Sequence, residues 1–168
     1  MTADAASPDP PPIRAVLDTS VLFSAHRHWL WLLAHLGYYE AVWSAFIVGE
    51  LVRIRVEHSI DRAVDRALYR QRVNDMVHVL SDVLSIVNYR SVNVDGSLRD
   101  PDDDPILATA LAGQATVIVS LNTRDFPTGG AIAGVRFVTP GTFLAELEDR
   151  FPTAHISTQA RDAGRSLP

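Results

Sequence analysis

Short apolar runs alternate with longer segments of helical periodicity along most of this chain. Apolar residues spaced three and four positions apart predict helices, whereas short β-branched runs predict buried strands. The run Thr116-Val117-Ile118-Val119-Ser120 is the most strand-like of these. Strands are predicted at 13–17, 41–43, 84–87, 116–120 and 135–138. Helices are predicted at 20–36, 45–57, 60–84, 105–112 and 142–149, with stops at Gly37 and Gly113.

Strands separated by helices predict an α/β fold around a central, mainly parallel sheet. We expect one domain over 13–150, because a chain of 168 residues has the size of a single domain. The Pro-rich segment 1–12 and the polar segment 151–168 are predicted to be flexible tails. Neither a signal peptide nor an apolar run long enough to span a membrane is recognisable, so a cytoplasmic protein is expected.

Composition excludes some chemistries and leaves others open. Cysteine is absent, which excludes disulfides, zinc–thiolate sites and thiol catalysis. The net charge of -5 argues mildly against nucleic-acid binding, because nucleic-acid binders are often basic. The distribution of charge points the other way, since arginines concentrate at 53–72 and acids at 100–104. That pattern suits a protein holding a polyanion next to a metal, although a solvated helix and a polar loop would look the same.

Three acids stand out by their position. Asp18 directly follows the first strand, and ligands of open parallel sheets bind beyond the carboxyl ends of the strands. Glu50 is the acid of an otherwise apolar helix start, where a buried charge requires a partner or a metal. Asp125 lies with Asn122 in the turn that follows the fourth strand. The alternatives are a helix cap at Asp18, a surface pair of Glu50 with Arg53 or Arg55, and an ordinary polar turn.

The densest acidic segment is Asp100-Pro101-Asp102-Asp103-Asp104-Pro105. Its carboxylates repel one another unless a cation or a helix N-terminus offsets them, and oxygen ligands of this kind suit Mg²⁺ or Mn²⁺. Pro105 at a first helical position makes Asp104 the natural cap and leaves Asp103 free to face the crevice. Asp100 and Asp104 stay open as alternative ligands, and a solvated acidic turn is the simpler interpretation.

Other catalytic patterns are missing from the sequence. Neither phosphate-binding glycine motif occurs, and the histidines lack metal-ligand spacing. A phosphatase with Asp18 as nucleophile would carry a second aspartate at position 20, which is serine. A metal held by carboxylates would activate a water and stabilise charge on a phosphodiester. The sequence therefore favours a metal-dependent nuclease, with a non-catalytic binding domain as the alternative.

Taken in order, these segments resemble the PIN-domain nuclease family, and within it the VapC-like toxins of toxin–antitoxin systems. The resemblance covers about residues 13–149 and implies a Rossmann-like α/β/α sandwich. The matching stretches are Val16–Leu22, Trp43–Glu50, Asp100–Gly113, Val117–Pro127 and Val138–Pro140.

The resemblance also implies a site and an activity. Its catalytic and metal-binding acids would be Asp18, Glu50, Asp103 and Asp125, with supporting positions at Ser20, Asn122, Asp100 and Asp104. It implies RNA cleavage with Mg²⁺ or Mn²⁺, a possible homodimer, and an antitoxin protein that blocks the enzyme. The alternatives are a stand-alone PIN-domain protein of RNA processing and a non-catalytic domain that binds RNA or protein.

Four arginines are predicted to contact RNA: Arg53, Arg62, Arg66 and Arg124. Arg62 and Arg66 are four residues apart and share one helix face. The same spacing lets neighbouring aspartates pair with them, so a solvated ion-pair face is the alternative.

Overall fold

The computed structural model describes residues 12–60, 71, 84–126 and 130–151, without the side chains of 55–60 and 84. Within these residues the strands β1 to β6 are Ile13–Leu17, Tyr39–Ser44, Leu84–Val87, Val117–Val119, Ala131–Ile132 and Val135–Val138. The helices α1 to α5 are Thr19–Leu22, Arg27–His35, Ala45–Ile60, Asp104–Ala112 and Pro140–Arg150. Two 3-10 turns, η1 and η2, are Tyr89–Ser91 and Pro101–Asp103.

The strands form one sheet in the order β3-β2-β1-β4-β6-β5. Neighbouring strands are parallel except for the antiparallel pair β5–β6. The central strands β1 and β4 are buried at 15–17 and 117–119, as expected of parallel strands covered by helices on both faces. The predicted α/β fold with a mainly parallel sheet is therefore confirmed.

The direction of the chain across the sheet changes between β1 and β4. Strands β1, β2 and β3 step towards one edge, whereas β4 and β6 step towards the other. The backbone N–H of Asp18, just past β1, donates to the carbonyl of Val119 at the end of β4 at 3.0 Å. The carboxyl ends of these two strands thus meet at the topological switch point, where open α/β sheets bind their ligands.

The prediction of one helix over 20–36 is wrong. The segment forms two helices, α1 and α2, separated by residues 23–26. Ser24 explains the break, because its hydroxyl donates to the carbonyl of Val21 at 2.7 Å and accepts from the amide of His26 at 3.1 Å. Side-chain bonds of this kind offer the backbone an alternative to the helical pattern.

Both predicted glycine stops lie directly after helices. Gly37 has a φ of +81°, and the amide of Tyr38 bonds back to the carbonyl of Leu33, which together form a Schellman end to α2. Gly113 follows α4 for a packing reason, since a Cβ there would overlap the side chain of Val42 on β2. Glycine thus allows the end of α4 to lie directly on the sheet.

The remaining differences concern short or undescribed segments. The two-residue strand β5 was not predicted; it pairs with β6 through a turn whose residues Ala133 and Gly134 have positive φ. The predicted helix 60–84 and the predicted tails 1–12 and 151–168 lie almost wholly outside the described residues. None of the described helices is long and apolar enough to cross a membrane.

Candidate active site

Asp18 is held at the switch point by hydroxyl groups. Its Oδ2 atom accepts hydrogen bonds from Ser20 Oγ and Ser120 Oγ, both at 2.6 Å, and the residue is 5% exposed. Its carboxylate makes no capping bond to α1, so it does not serve as the helix cap that the sequence also allowed. The side chain is oriented by neighbours from two different strand ends.

The two serines also tie the turn after β4 to Asp18. The amide of Leu121 donates to Ser20 Oγ at 3.1 Å, and the amide of Asn122 donates to Ser120 Oγ at 2.9 Å. Each hydroxyl therefore accepts from the turn and donates to the carboxylate. This arrangement fixes the turn that carries Asn122 relative to Asp18.

Glu50 reaches the same region from α3. Thr19 Oγ1 lies 2.9 Å from Glu50 Oε2, to which it donates, and 3.2 Å from Asp18 Oδ1. Arg53 Nη2 lies 3.8 Å from Glu50 Oε1, which is a weak surface contact because the Arg53 side chain is 59% exposed. Glu50 thus joins the site through Thr19 and also has the arginine neighbour that the alternative interpretation expected.

The carboxylates of the acidic segment 100–104 have different hydrogen-bond partners. Asp100 caps η2 by accepting from the amide of Asp102 at 3.0 Å. Asp104 is 7% exposed, and its two oxygens accept from the amides of Gly96 at 2.7 Å and Leu98 at 2.9 Å. The prediction that Asp104 caps the helix is wrong, because α4 begins at Asp104 itself. Its carboxylate anchors the preceding loop instead.

Asp103 occupies the cap position of α4 but makes no capping bond. Burial, and then the negative charges of Asp18, Asp100, Asp125 and Glu50, raise the pKa of Asp103 from 3.8 to about 6. Carboxylates perturb one another in this way when they lie close together. We call Asp18, Glu50, Asp100, Asp103 and Asp125 the acidic cluster.

Asp125 lies in the turn after β4 and is oriented by Asn122, whose Nδ2 donates to Asp125 Oδ2 at 2.9 Å. The next residue, Phe126, is buried and stacks on Phe137 with a centroid distance of 5.2 Å. The turn is therefore fixed at one end by Ser120 and at the other by an aromatic contact in the core.

The structure brings together the four acids predicted as catalytic, as well as Ser20, Asn122 and Asp100. Thr19 and Ser120 were not predicted as site residues. The signal available for them was a hydroxyl side chain directly past a strand that ends at the switch point. Among the described residues, no three acidic or histidine side chains converge closely enough to form a ready-made metal site.

The predicted RNA-contacting arginines have mixed outcomes. Arg53 lies beside Glu50, on the edge of the acidic cluster. Arg124 is exposed and lines, with Arg99 and Asp125, a hollow of about 290 Å³. Arg62 and Arg66 lie outside the described residues.

Comparison with known proteins decides the family. The PIN domain family matches residues 14–124, which contain all of β1 but its first residue, the strands β2 to β4, and every member of the acidic cluster except Asp125. This chain belongs to the PIN domain family. PIN domains are generally nucleases, which hydrolyse phosphodiester bonds, and they usually bind divalent metals. A PIN domain also accounts for a mainly parallel sheet with acids at its carboxyl edge.

Two curated proteins share a shorter similarity with this PIN domain. They are the 1-deoxy-D-xylulose 5-phosphate reductoisomerases of Citrifermentans bemidjiense and of Geobacter sp. strain M21. Each is 32% identical over 98 residues, which is 58% of this chain and 23% of the relative. Because the matched part spans less than a quarter of those enzymes, their reaction is not assigned to this chain.

Proposed function

We propose that this protein is a divalent-metal-dependent endoribonuclease whose catalytic acids are Asp18, Glu50, Asp103 and Asp125. The observation that carries the proposal is the gathering of carboxylates at the switch point, where Thr19 Oγ1 lies 3.2 Å from Asp18 Oδ1 and 2.9 Å from Glu50 Oε2. Burial, and then the charges of the other members of the acidic cluster, raise the pKa of Asp103 there. Like charges assembled at the ligand-binding edge of a sheet destabilise a fold unless they serve a ligand. A cation is the ligand that offsets them.

The donor set fits Mg²⁺ or Mn²⁺. Both are hard cations that prefer carboxylate oxygens, and the cluster offers oxygen donors alone. Asp18, Glu50, Asp103 and Asp125 would hold the metal, with Asp100 at the margin.

A bound cation of this kind lowers the pKa of a water and stabilises negative charge that develops on a phosphodiester. The contribution of the chain is orientation. Ser20 and Ser120 aim the Asp18 carboxylate, Thr19 links it to Glu50, and Asn122 aims Asp125. Groups that hold metal ligands in this manner commonly contribute about 10-fold to 100-fold to affinity or activity.

The test is cleavage of a mixed RNA pool by the purified protein with Mn²⁺, with EDTA, and after Asp18→Asn. Asp149→Asn is the matched control, because it makes the same chemical change on the exposed face of α5. We expect cleavage that requires the metal, is lost in Asp18→Asn and is retained in Asp149→Asn.

Two other results would contradict the proposal. Absence of both cleavage and calorimetric Mn²⁺ binding would favour a non-catalytic domain. Cleavage that persists in EDTA or in Asp18→Asn would remove the acidic cluster from the reaction.

We further propose that the enzyme is the toxin of a toxin–antitoxin pair, on the basis of its resemblance to VapC-like toxins. Expression of the chain in a bacterial host should arrest growth, Asp18→Asn should not, and the protein encoded beside it should relieve the arrest. Growth unaffected by an active nuclease would favour a stand-alone enzyme of RNA processing.

A further inference from the structure

A groove of about 610 Å³ opens at the start of α4, the helix that directly follows Asp103. One wall is the segment 89–96, and the other is formed by Pro101, Asp104, Pro105 and Ala108. Pro101 and Asp104 flank Asp103 in the chain, so the groove begins within two residues of that carboxylate. Its volume is that of a cleft able to bind a small ligand or part of a larger one.

We propose that this groove binds a nucleotide of the RNA strand next to the phosphate that is cleaved. In this proposal Arg90 contacts a phosphate, and the ring of Tyr89 contacts the base. The inference rests on the proposed ribonuclease function and extends it to a specific binding subsite.

Arg90 carries a charge that is available to a ligand. Its guanidinium lies 5.7 Å from the centre of the Tyr89 ring, and its Nε donates to Tyr89 Oη at 3.3 Å. No carboxylate among the described residues forms an ion pair with it, whereas Arg14 pairs with Glu40 and Arg136 with Glu146. An exposed, oriented and unneutralised arginine suits a phosphate.

Tyr89 is held by the protein on one side and lines the groove on the other. Its ring packs against Phe46 with a centroid distance of 6.0 Å, and its side chain is half-buried. Aromatic rings held in this way provide platforms for unpaired bases of any sequence, because every base has a flat face. The pair of Tyr89 and Arg90 therefore combines the two groups that single-stranded RNA requires.

The two acids of the groove affect such a ligand differently. Asp104 already directs both oxygens to the amides of Gly96 and Leu98, which also fixes the loop that forms the wall. Asp95 also lines the groove, and its charge would oppose a phosphate. The attraction must therefore come from Arg90.

The acidic cluster itself gives the reason for such a subsite. Five carboxylates repel a polyanion, so a strand laid across them has to be held by cations at their sides. Arg90 lines the groove, and Arg99 and Arg124 line the hollow that contains Asp125. An RNA strand bound at the cluster would thus meet arginine in the groove and in the hollow.

The test measures binding of a short fluorescein-labelled, single-stranded RNA of mixed sequence to Asp18→Asn protein in Mg²⁺, so that cleavage does not interfere. Arg90→Gln should weaken binding about fivefold at 0.1 M salt and reduce the salt slope by about 0.7, the values for losing one phosphate contact. Arg136→Gln is the matched control, because it removes the same charge from an arginine bound to Glu146. We expect it to change neither quantity.

The aromatic contact is tested separately. Tyr89→Leu should weaken binding about fivefold or more with the salt slope unchanged, whereas Tyr89→Phe should keep most of the affinity. Circular dichroism and melting temperature verify that each variant is folded. If Tyr89→Leu unfolds, Arg90→Gln still decides the question.

The outcomes separate this inference from the proposed function. Unchanged RNA affinity in Arg90→Gln, or an equal loss of affinity in Arg136→Gln, would refute the proposed subsite in the groove. Metal-dependent cleavage by the unaltered chain would still support the proposed function. If the unaltered chain neither cleaves nor binds RNA, both proposals fail. If it binds RNA without cleaving any, the nuclease proposal fails. The affinities of Arg90→Gln and Tyr89→Leu then decide alone whether the RNA binds in the groove.

Discussion

Replacing Asp103 by asparagine removes a charge that four neighbouring carboxylates oppose. Because burial and repulsion raise its pKa from 3.8 to about 6, the folded protein holds the Asp103 proton more tightly than the unfolded chain does. The metal-free fold is therefore destabilised as the pH rises through this interval. The penalty is absent below about pH 4 and complete above about pH 6.

The size of the loss in unfolding free energy follows from the pKa shift of Asp103. A pKa raised by this amount corresponds to at most about 3 kcal/mol. Asp103 is only half-buried, so solvent screening reduces the expected penalty to about 1–2 kcal/mol. For a chain of this length each kcal/mol moves the melting temperature by about 2–4 °C. In EDTA at neutral pH, Asp103→Asn should thus melt about 2–8 °C above the unaltered protein.

Thermal melting in EDTA between pH 4 and pH 8 checks this prediction. The gain in melting temperature should shrink towards pH 4, where the unfolded chain also begins to bind the proton. Asp102→Asn should show little gain because Asp102 is exposed. Added Mn²⁺ should stabilise the unaltered protein more than Asp103→Asn, because the variant lacks one ligand. An Asp103→Asn protein no more stable than its parent at neutral pH, or equally favoured at pH 4, would refute the repulsion argument.

Three further changes test other parts of the structure. Ser120→Ala removes a hydrogen bond to Asp18 and should lower the cleavage rate about 10-fold to 100-fold, with exposed Ser97→Ala as control; an unchanged rate would show that the hydroxyl is dispensable. Asp104→Ala leaves the amides of Gly96 and Leu98 without their acceptor and should cost about 2–4 kcal/mol in urea unfolding, whereas a loss under about 1 kcal/mol would contradict the anchoring role. Gly113→Ala should cost about 1–3 kcal/mol by overlap with Val42, and Gly141→Ala, which has open space, should cost nothing; equal melting temperatures would refute the packing argument.

The order of elements was predictable because it depends on local pattern. The short apolar runs within 13–17 and 116–120 are typical of buried strands, and both segments contribute strands to the centre of the sheet. Since acids that follow such strands meet at the switch point, the neighbourhood of Asp18 and the turn of Asp125 also followed from the sequence.

Which carboxylate of the acidic segment makes which hydrogen bonds was not predictable. Asp100, Asp103 and Asp104 are chemically identical, and a capping rule favoured Asp104 as the cap. Asp104 accepts from the amides of Gly96 and Leu98 because of the path that their loop takes. The capping signal at Pro105 carries no information about that loop. The break at Ser24 escaped prediction because hydrophobic spacing continues across it, while a single hydroxyl bonding to the backbone decides the conformation.

The sequence by itself determined the α/β class, the apolar strands of the sheet and the acids at their ends, because each of these depends on residue type and on spacing along the chain. Tertiary structure alone decided which carboxylates face one another, how Ser20 and Ser120 hold Asp18, and that Tyr89 and Arg90 line a groove beside Asp103. The decisive contacts, such as that of Ser120 with Asp18, join residues far apart in sequence. Their energies depend on distance and burial, which exist only after the chain has folded.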